Sequence, residues 1–133
     1  MKKIEHIGIA VKNVEKSNKL FTSLFGVPNY KIEEVASEGV KTSFFASGPN
    51  KIELLQATNP KSPIAKFIEK NGEGVHHIAF AVSDIEAEIK RLQNEGFVLL
   101  NEIPKKGADN KLVAFLHPKS TNGVLIELCQ EID

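Results

Sequence analysis

His6-Ile7-Gly8-Ile9-Ala10-Val11 and His77-Ile78-Ala79-Phe80-Ala81-Val82 are two versions of one segment, 71 residues apart. Val14-Glu15 and Ile85-Glu86 extend the match at the same offset. A second pair returns in the same order: Ile52-Glu53-Leu54-Leu55-Gln56 and Ile126-Glu127-Leu128-Cys129-Gln130, 74 residues apart. Either pair alone is within reach of chance between short apolar strands. Both, in one order and at nearly one offset, describe a duplicated module.

Each half reads as β-α-β-β-β. In the first, Ile4–Val11 alternates as a strand, and a helix is expected from Val14 to Phe25. Leu20, Phe21, Leu24 and Phe25 form its apolar stripe and Gly26 its stop. Strands follow over Tyr30–Ala36, Val40–Ala46 and Lys51–Ala57, with Gly48-Pro49-Asn50 as the last turn. In the second half, the strand His76–Val82 leads into a helix over Asp84–Glu95. Asp84 is its N-cap, Ile85, Ile89 and Leu92 its buried stripe, and Gly96 its stop. Strands over Phe97–Asn101, Leu112–Leu116 and Val124–Cys129 complete it. Between the halves, Ser62-Pro63 starts a short helix that buries Ile64, Phe67 and Ile68 and ends at Asn71-Gly72. The expectation is one domain over residues 1–133, with modules over about 1–59 and 74–133 and a linker helix over about 62–72.

Strand parity then singles out four side chains. Successive strand residues point to opposite faces, so Ile7, Ile9 and Val11 share one face, and Ile78, Phe80 and Val82 its counterpart. The other faces carry His6, Gly8, Ala10 and His77, Ala79, Ala81: a histidine followed by two small residues, which leaves space. Ile52/Leu54 and Ile126/Leu128 take the apolar faces, which sends Glu53 and Glu127 to the open ones. A carboxylate between apolar strand neighbours is costly to bury unless it is paired or bound to a metal. If the two open faces meet, two imidazoles and two carboxylates converge. That set suits Zn²⁺, Co²⁺, Ni²⁺, Mn²⁺ or Fe²⁺. Parity turns His76 away from His77, toward packing. Cys129 shares a face with Glu127 and reads as a small buried hydrophobe.

The totals fit a single domain that does not seek nucleic acid. The chain has 133 residues, with 17 Lys+Arg against 17 Asp+Glu, so the formal net charge is +0. No electrostatic pull toward nucleic acid or an anionic membrane follows. One cysteine excludes an internal disulfide, and no segment has the pattern of a secretory leader or a membrane span. A cytoplasmic setting is expected.

The β-α-β-β-β duplication with its His…Glu…His…Glu order resembles the vicinal oxygen chelate, or glyoxalase-like, superfamily. Ser62-Pro63-Ile64-Ala65-Lys66-Phe67, Asn71-Gly72-Glu73-Gly74-Val75-His76-His77-Ile78-Ala79-Phe80, Ala114-Phe115-Leu116-His117-Pro118-Lys119-Ser120 and Gly123-Val124-Leu125-Ile126-Glu127-Leu128 resemble its methylmalonyl-CoA epimerase branch. The resemblance spans essentially the whole chain. It implies an α+β fold in which two tandem βαβββ modules form an incomplete barrel around one site. It also implies one divalent metal ion on His6, Glu53, His77 and Glu127, Co²⁺ foremost and Zn²⁺, Mn²⁺ or Ni²⁺ as alternatives. The implied substrate is an acyl-CoA thioester and the implied assembly a homodimer. Some members carry Gln where this chain has Glu53. Some carry a catalytic glutamate where this chain has Thr42, which cannot act as a carboxylate base.

The implied reaction interconverts (2R)- and (2S)-methylmalonyl-CoA by removing and returning the α-proton through an enolate that the metal stabilises. Glu127 and Glu53 are the two expected proton carriers. His117, Lys119 and Ser120, with Thr42, are the expected substrate contacts; the loop Lys105–Lys111 is a further source of positive charge. The alternatives are a glyoxalase I-type isomerase, which shares the ligand set, and a non-enzymatic small-molecule-binding protein of the same fold.

Overall fold

The computed structural model describes residues 1–133. Its elements are β1 (Lys3–Ala10), α1 (Val14–Phe25), β2 (Lys31–Val35), β3 (Val40–Ser47), β4 (Asn50–Ala57) and α2 (Pro63–Asn71), followed by β5 (Gly74–Ala81), α3 (Ile85–Asn94), β6 (Lys105–Lys106), β7 (Lys111–Leu116) and β8 (Ile126–Glu131). No helix is long and apolar enough to cross a membrane. The chain forms two compact units, Ile7–His76 and a second one made of Met1–His6 with His77–Asp133. The boundaries fall inside β1 and inside β5.

In the Ile7–His76 unit the strands run in the order β2-β3-β4-β1, with β2-β3 and β3-β4 antiparallel. Val11, Val14, Phe45 and Leu54 form the core, packed by Ile9, Phe21, Phe25 and Ile52. The helix α1 begins where Asn13 accepts the N–H of Lys16 and where Gln56 Oε1 accepts the N–H of Val14 at 2.7 Å. It ends at Gly26, whose φ of 77° suits the left-handed conformation that glycine adopts without penalty. Phe21 and Phe25 turn inward, while Leu20 and Leu24 stay 66% and 67% exposed. The expected stripe is therefore half right. Two adjacent apolar rows compete on this helix, and the anchored first turn presents the phenylalanine row to Phe45.

The helix α2 starts at Ser62-Pro63 and covers Ala10 and Leu55 with Ile64, Phe67 and Ile68. That departs from expectation at one point. The space beside Ala10 is not open but filled by the linker helix. His76 packs its ring edge on Phe67, with centroids 5.0 Å apart, as its parity requires.

In the other unit the order is β1-β5-β8-β7-β6. The pair β5-β8 is parallel and β7-β8 antiparallel. The helix α3 buries Ile85, Ile89 and Leu92 against Val82, Ala114, Leu116 and Leu128, and Asp84 caps it through the N–H of Ala87. Gln130 Oε1 accepts the N–H of Ile85 at 2.8 Å. This duplicates the Gln56 bond, so the last residue of each repeated Ile-Glu-Leu motif anchors the start of its module's first helix. Leu128 is fully buried at the centre of this cluster. Its truncation to alanine is expected to cost about 2–5 kcal/mol, read from urea or thermal unfolding.

The strand expected over Phe97–Asn101 shrinks to one bridge, Leu99 to Leu116. Two backbone bonds persist, from Leu100 N–H to Phe115 O and from His117 N–H to Val98 O, at 2.7 Å each, and polar side chains take the two that would complete the ladder. Asn101 Oδ1 accepts the N–H of Phe115 at 2.9 Å, and Ser120 Oγ accepts the N–H of Val98 at 3.0 Å. Such side-chain bonds compete with regular pairing. The edge of the sheet is instead the two-residue β6.

Candidate metal centre

Three of the four parity-selected side chains meet within the unit formed by Met1–His6 and His77–Asp133. Lys2 donates its N–H to Ala81 O at 2.8 Å, while His6 meets His77. The strands β1 and β5 therefore run antiparallel, with the two histidines facing each other. Their rings stand edge to face, 5.1 Å apart at 85°, with the two Nε2 atoms 3.0 Å apart. On the far side of β5, β8 sets Glu127 opposite Ala79. That methyl side chain leaves the carboxylate room to lean toward His77. Phe115, opposite Glu127 on β7, braces the His77 ring at 5.9 Å. Glu127 Oε1 ends 3.1 Å from His77 Nε2 and 3.6 Å from His6 Nε2. All three residues are buried, at 4–6% exposure.

The donor set fits a divalent cation. Atoms about 2.1 Å from a shared ion stand about 3.0 Å apart at octahedral angles and about 3.4 Å apart at tetrahedral ones. Two of the separations, 3.0 and 3.1 Å, match the octahedral value, the third, 3.6 Å, lies just above the tetrahedral one, and the potential ligand atoms all lie within 4.8 Å of one another. Two facing imidazole nitrogens at 3.0 Å also need something between them. Lone pairs repel at that distance, so the pair must share a proton or a cation. Two nitrogens and one carboxylate oxygen leave coordination positions for a substrate.

Electrostatics keep Glu127 charged. Burial alone pushes its carboxyl up, but the hydrogen bonds and positive charge of His6 and His77 outweigh that and bring it to about 2. Its folded value lies below the unfolded one of about 4.3. The stability it confers is therefore present above that unfolded value and lost as pH falls through the folded one. The metal-free protein is expected to lose stability between about pH 4 and pH 2 more steeply than its Glu127→Gln variant. Thermal melts across that interval check this.

The model of the glyoxalase/bleomycin resistance protein/dioxygenase superfamily matches residues 5–115. The chain belongs to this superfamily. It is 42% identical over 127 residues to the mitochondrial methylmalonyl-CoA epimerase of Dictyostelium discoideum, covering 95% of this chain and 76% of that one. It is 40% identical over 130 residues to the ethylmalonyl-CoA/methylmalonyl-CoA epimerase of Cereibacter sphaeroides, covering 96% and 97%. A variant of the Streptomyces coelicolor methylmalonyl-CoA epimerase, solved in complex with 2-nitronate-propionyl-CoA, superimposes with a TM-score of 0.92. That match has 31% identity and covers 98% of this chain and 95% of the other. Two tandem βαβββ modules are thus the glyoxalase-like α+β architecture of the superfamily.

The remaining candidate residues of this superfamily member divide by role. Glu53 lies in the other unit, buried at 5%. It pairs across strands with Phe44, as Glu127 pairs with Phe115, so the duplication extends to the cross-strand partner. Thr42 is 2% exposed, between Glu33 and Leu55 in register. His117 accepts the N–H of Lys119 through Nδ1 at 3.1 Å and so caps the turn Pro118–Ser120. With Ser120 tied to Val98, both have structural work. Lys111 is buried beside Asp109 and Glu131, at 3.6 and 3.9 Å, which removes it from the expected basic loop. Cys129 lies buried among Ala79, Val113 and Phe115, as a small hydrophobe.

One residue escaped the parity argument. Glu5 is buried at 5%, and its Oε1 lies 2.8 Å from His6 Nδ1. Parity sends it to the face opposite His6, so alternation alone hides it. The available signal was a carboxylate adjoining a strand histidine on a short, otherwise lysine- and isoleucine-rich segment.

Proposed function

We propose that this protein is a metal-dependent epimerase that interconverts (2R)- and (2S)-methylmalonyl-CoA. The convergence of His6, His77 and Glu127 in a buried cluster of donor atoms carries the reading. Kinship to chains that bear the epimerase name supports it.

The reaction needs a proton removed from the carbon between a thioester carbonyl and a carboxylate, then returned on the opposite face. A divalent cation on His6, His77 and Glu127 would supply Lewis-acid neutralisation of the developing enolate charge and a template for the two substrate oxygens. Co²⁺ is the proposed ion, with Zn²⁺, Mn²⁺ or Ni²⁺ as substitutes. Glu127, anionic throughout the physiological range, accepts the proton on a carboxylate oxygen from one face. Glu53 is the proposed fourth ligand and the second carrier, by its equivalence to Glu127 in the repeat and its burial. Thr42, with a hydroxyl in place of a carboxyl, leaves that task to it. The two carriers exchange roles according to which epimer is bound. Lys119 is proposed to meet the substrate's negative charge, together with the turn that His117 and Ser120 build.

The deciding experiment follows deuterium incorporation at the α-carbon of each methylmalonyl-CoA epimer in deuterated water, with metal-loaded and chelator-stripped protein. Incorporation with interconversion, lost on stripping and restored by a divalent ion, is expected. No exchange with any divalent ion overturns the proposal in favour of a glyoxalase-type isomerase or a binding protein.

A further inference from the structure

We propose that Glu5 is a positioning residue for the metal centre, holding the Nδ1–H of His6 so that Nε2 of that ring presents its lone pair to the cation. This rests on the metal reading above and adds a group to it that the sequence repeat does not contain.

An ionised carboxylate is acceptor-only, so with Glu5 charged the 2.8 Å contact from its Oε1 to His6 Nδ1 is a hydrogen bond that places the proton on Nδ1. The neutral imidazole then has one lone pair, on Nε2, the atom that faces His77 and Glu127. A histidine ligand is commonly fixed in tautomer and orientation by such an outer partner, which also makes it a stronger donor. The two residues are adjacent in a strand, where side chains point to opposite faces. Glu5 must therefore fold back at the start of β1 to make this bond. It is also buried, at 5% exposure, where a carboxylate is retained only at a cost.

The device is one-sided. The residue that corresponds to Glu5 in the second half is His76, 71 positions on, and its ring packs edge to face on Phe67. Duplication thus supplied both ligand histidines, while only the first is joined to a neighbouring carboxylate in the sequence.

The test uses full-length protein labelled with ¹⁵N-histidine, as wild type, Glu5→Gln and Glu5→Met. Ring-nitrogen shifts of metal-free protein report the His6 tautomer, and Co²⁺ titration followed by visible absorption reports affinity. Wild type is expected to carry its proton on Nδ1. Glu5→Met, similar in length but unable to accept strongly, is expected to lose that preference and to weaken Co²⁺ binding about 10- to 100-fold. Glu5→Gln keeps an acceptor oxygen and is expected to retain most of both properties; a purely steric role would not order the two variants this way. Wild-type His6 protonated on Nε2, or a folded Glu5→Met that keeps the Nδ1–H form and near-wild-type affinity, overturns the proposal. If Glu5→Met does not fold, the wild-type tautomer and the Glu5→Gln affinity decide. Wild type that holds the Nδ1–H form yet binds no divalent ion refutes the cation, and with it this role for Glu5. Wild-type binding with an unchanged tautomer in the variants refutes Glu5 alone.

Discussion

Replacing Glu127 by glutamine is expected to reduce epimerisation of methylmalonyl-CoA about 10³-fold or more, and excess Co²⁺ is not expected to restore it. The substitution preserves shape and leaves an amide oxygen within reach of His77, so the fold and much of the metal site persist. What disappears is the negative charge and the ability to accept a proton. Loss of a general base costs about 10²- to 10⁴-fold in rate, and here the same side chain is also a proposed ligand. The two roles separate on titration with metal. A defect of affinity alone is overcome at saturating Co²⁺, whereas a missing proton acceptor lowers kcat at every concentration. Recovery to within tenfold of wild type at high Co²⁺ would reduce Glu127 to a ligand.

Glu53→Gln tests the proposed second carrier and has a different signature. A glutamine oxygen still binds a divalent ion, and some superfamily members carry glutamine at the matching position. Metal content is therefore expected to stay close to wild type. Interconversion of the epimers is expected to fall about 10²-fold or more, because reprotonation from one face is lost. Deuterium exchange with retention is nonetheless expected to continue from the epimer whose proton faces Glu127. Exchange without inversion is what one remaining carrier produces. Unimpaired interconversion in this variant removes Glu53 from the proton pathway and leaves the counterpart of Glu127 to be found elsewhere.

Much of the fold and of the His6, His77 and Glu127 cluster was legible in the chain itself, because two repeated motifs carry both periodicity and chemistry. His6 and His77 could be paired from sequence alone, since a strand histidine followed by two small residues recurs with its neighbours intact. Glu127 followed from alternation, and the α3 stripe from an N-cap and three apolar positions on one face. The failures have physical causes of another kind. Leu20 and Leu24 lie one row from Phe21 and Phe25, and helical spacing cannot choose between adjacent rows. The choice comes from the hydrogen bond that Gln56 accepts from the first turn, a contact across 42 residues. The expected strand over Phe97–Asn101 has a suitable pattern, but Asn101 and Ser120 occupy the bonds a strand would use. Glu5 was hidden by the same alternation that revealed His6.

The three clustered donor side chains come from distant stretches of chain, at residues 6, 77 and 127, in a unit whose first six residues belong with its last fifty-seven. This arrangement sets a timetable for biosynthesis. As the polypeptide leaves the ribosome, the earlier unit, Ile7–His76, has all its residues in hand while the leading strand still waits for its partners. The proposed ion could not be gathered progressively, because a growing chain offers isolated imidazoles until β8 supplies its carboxylate. A cation on these three side chains would therefore be a late acquisition, one that waits until residue 127 has joined the other two.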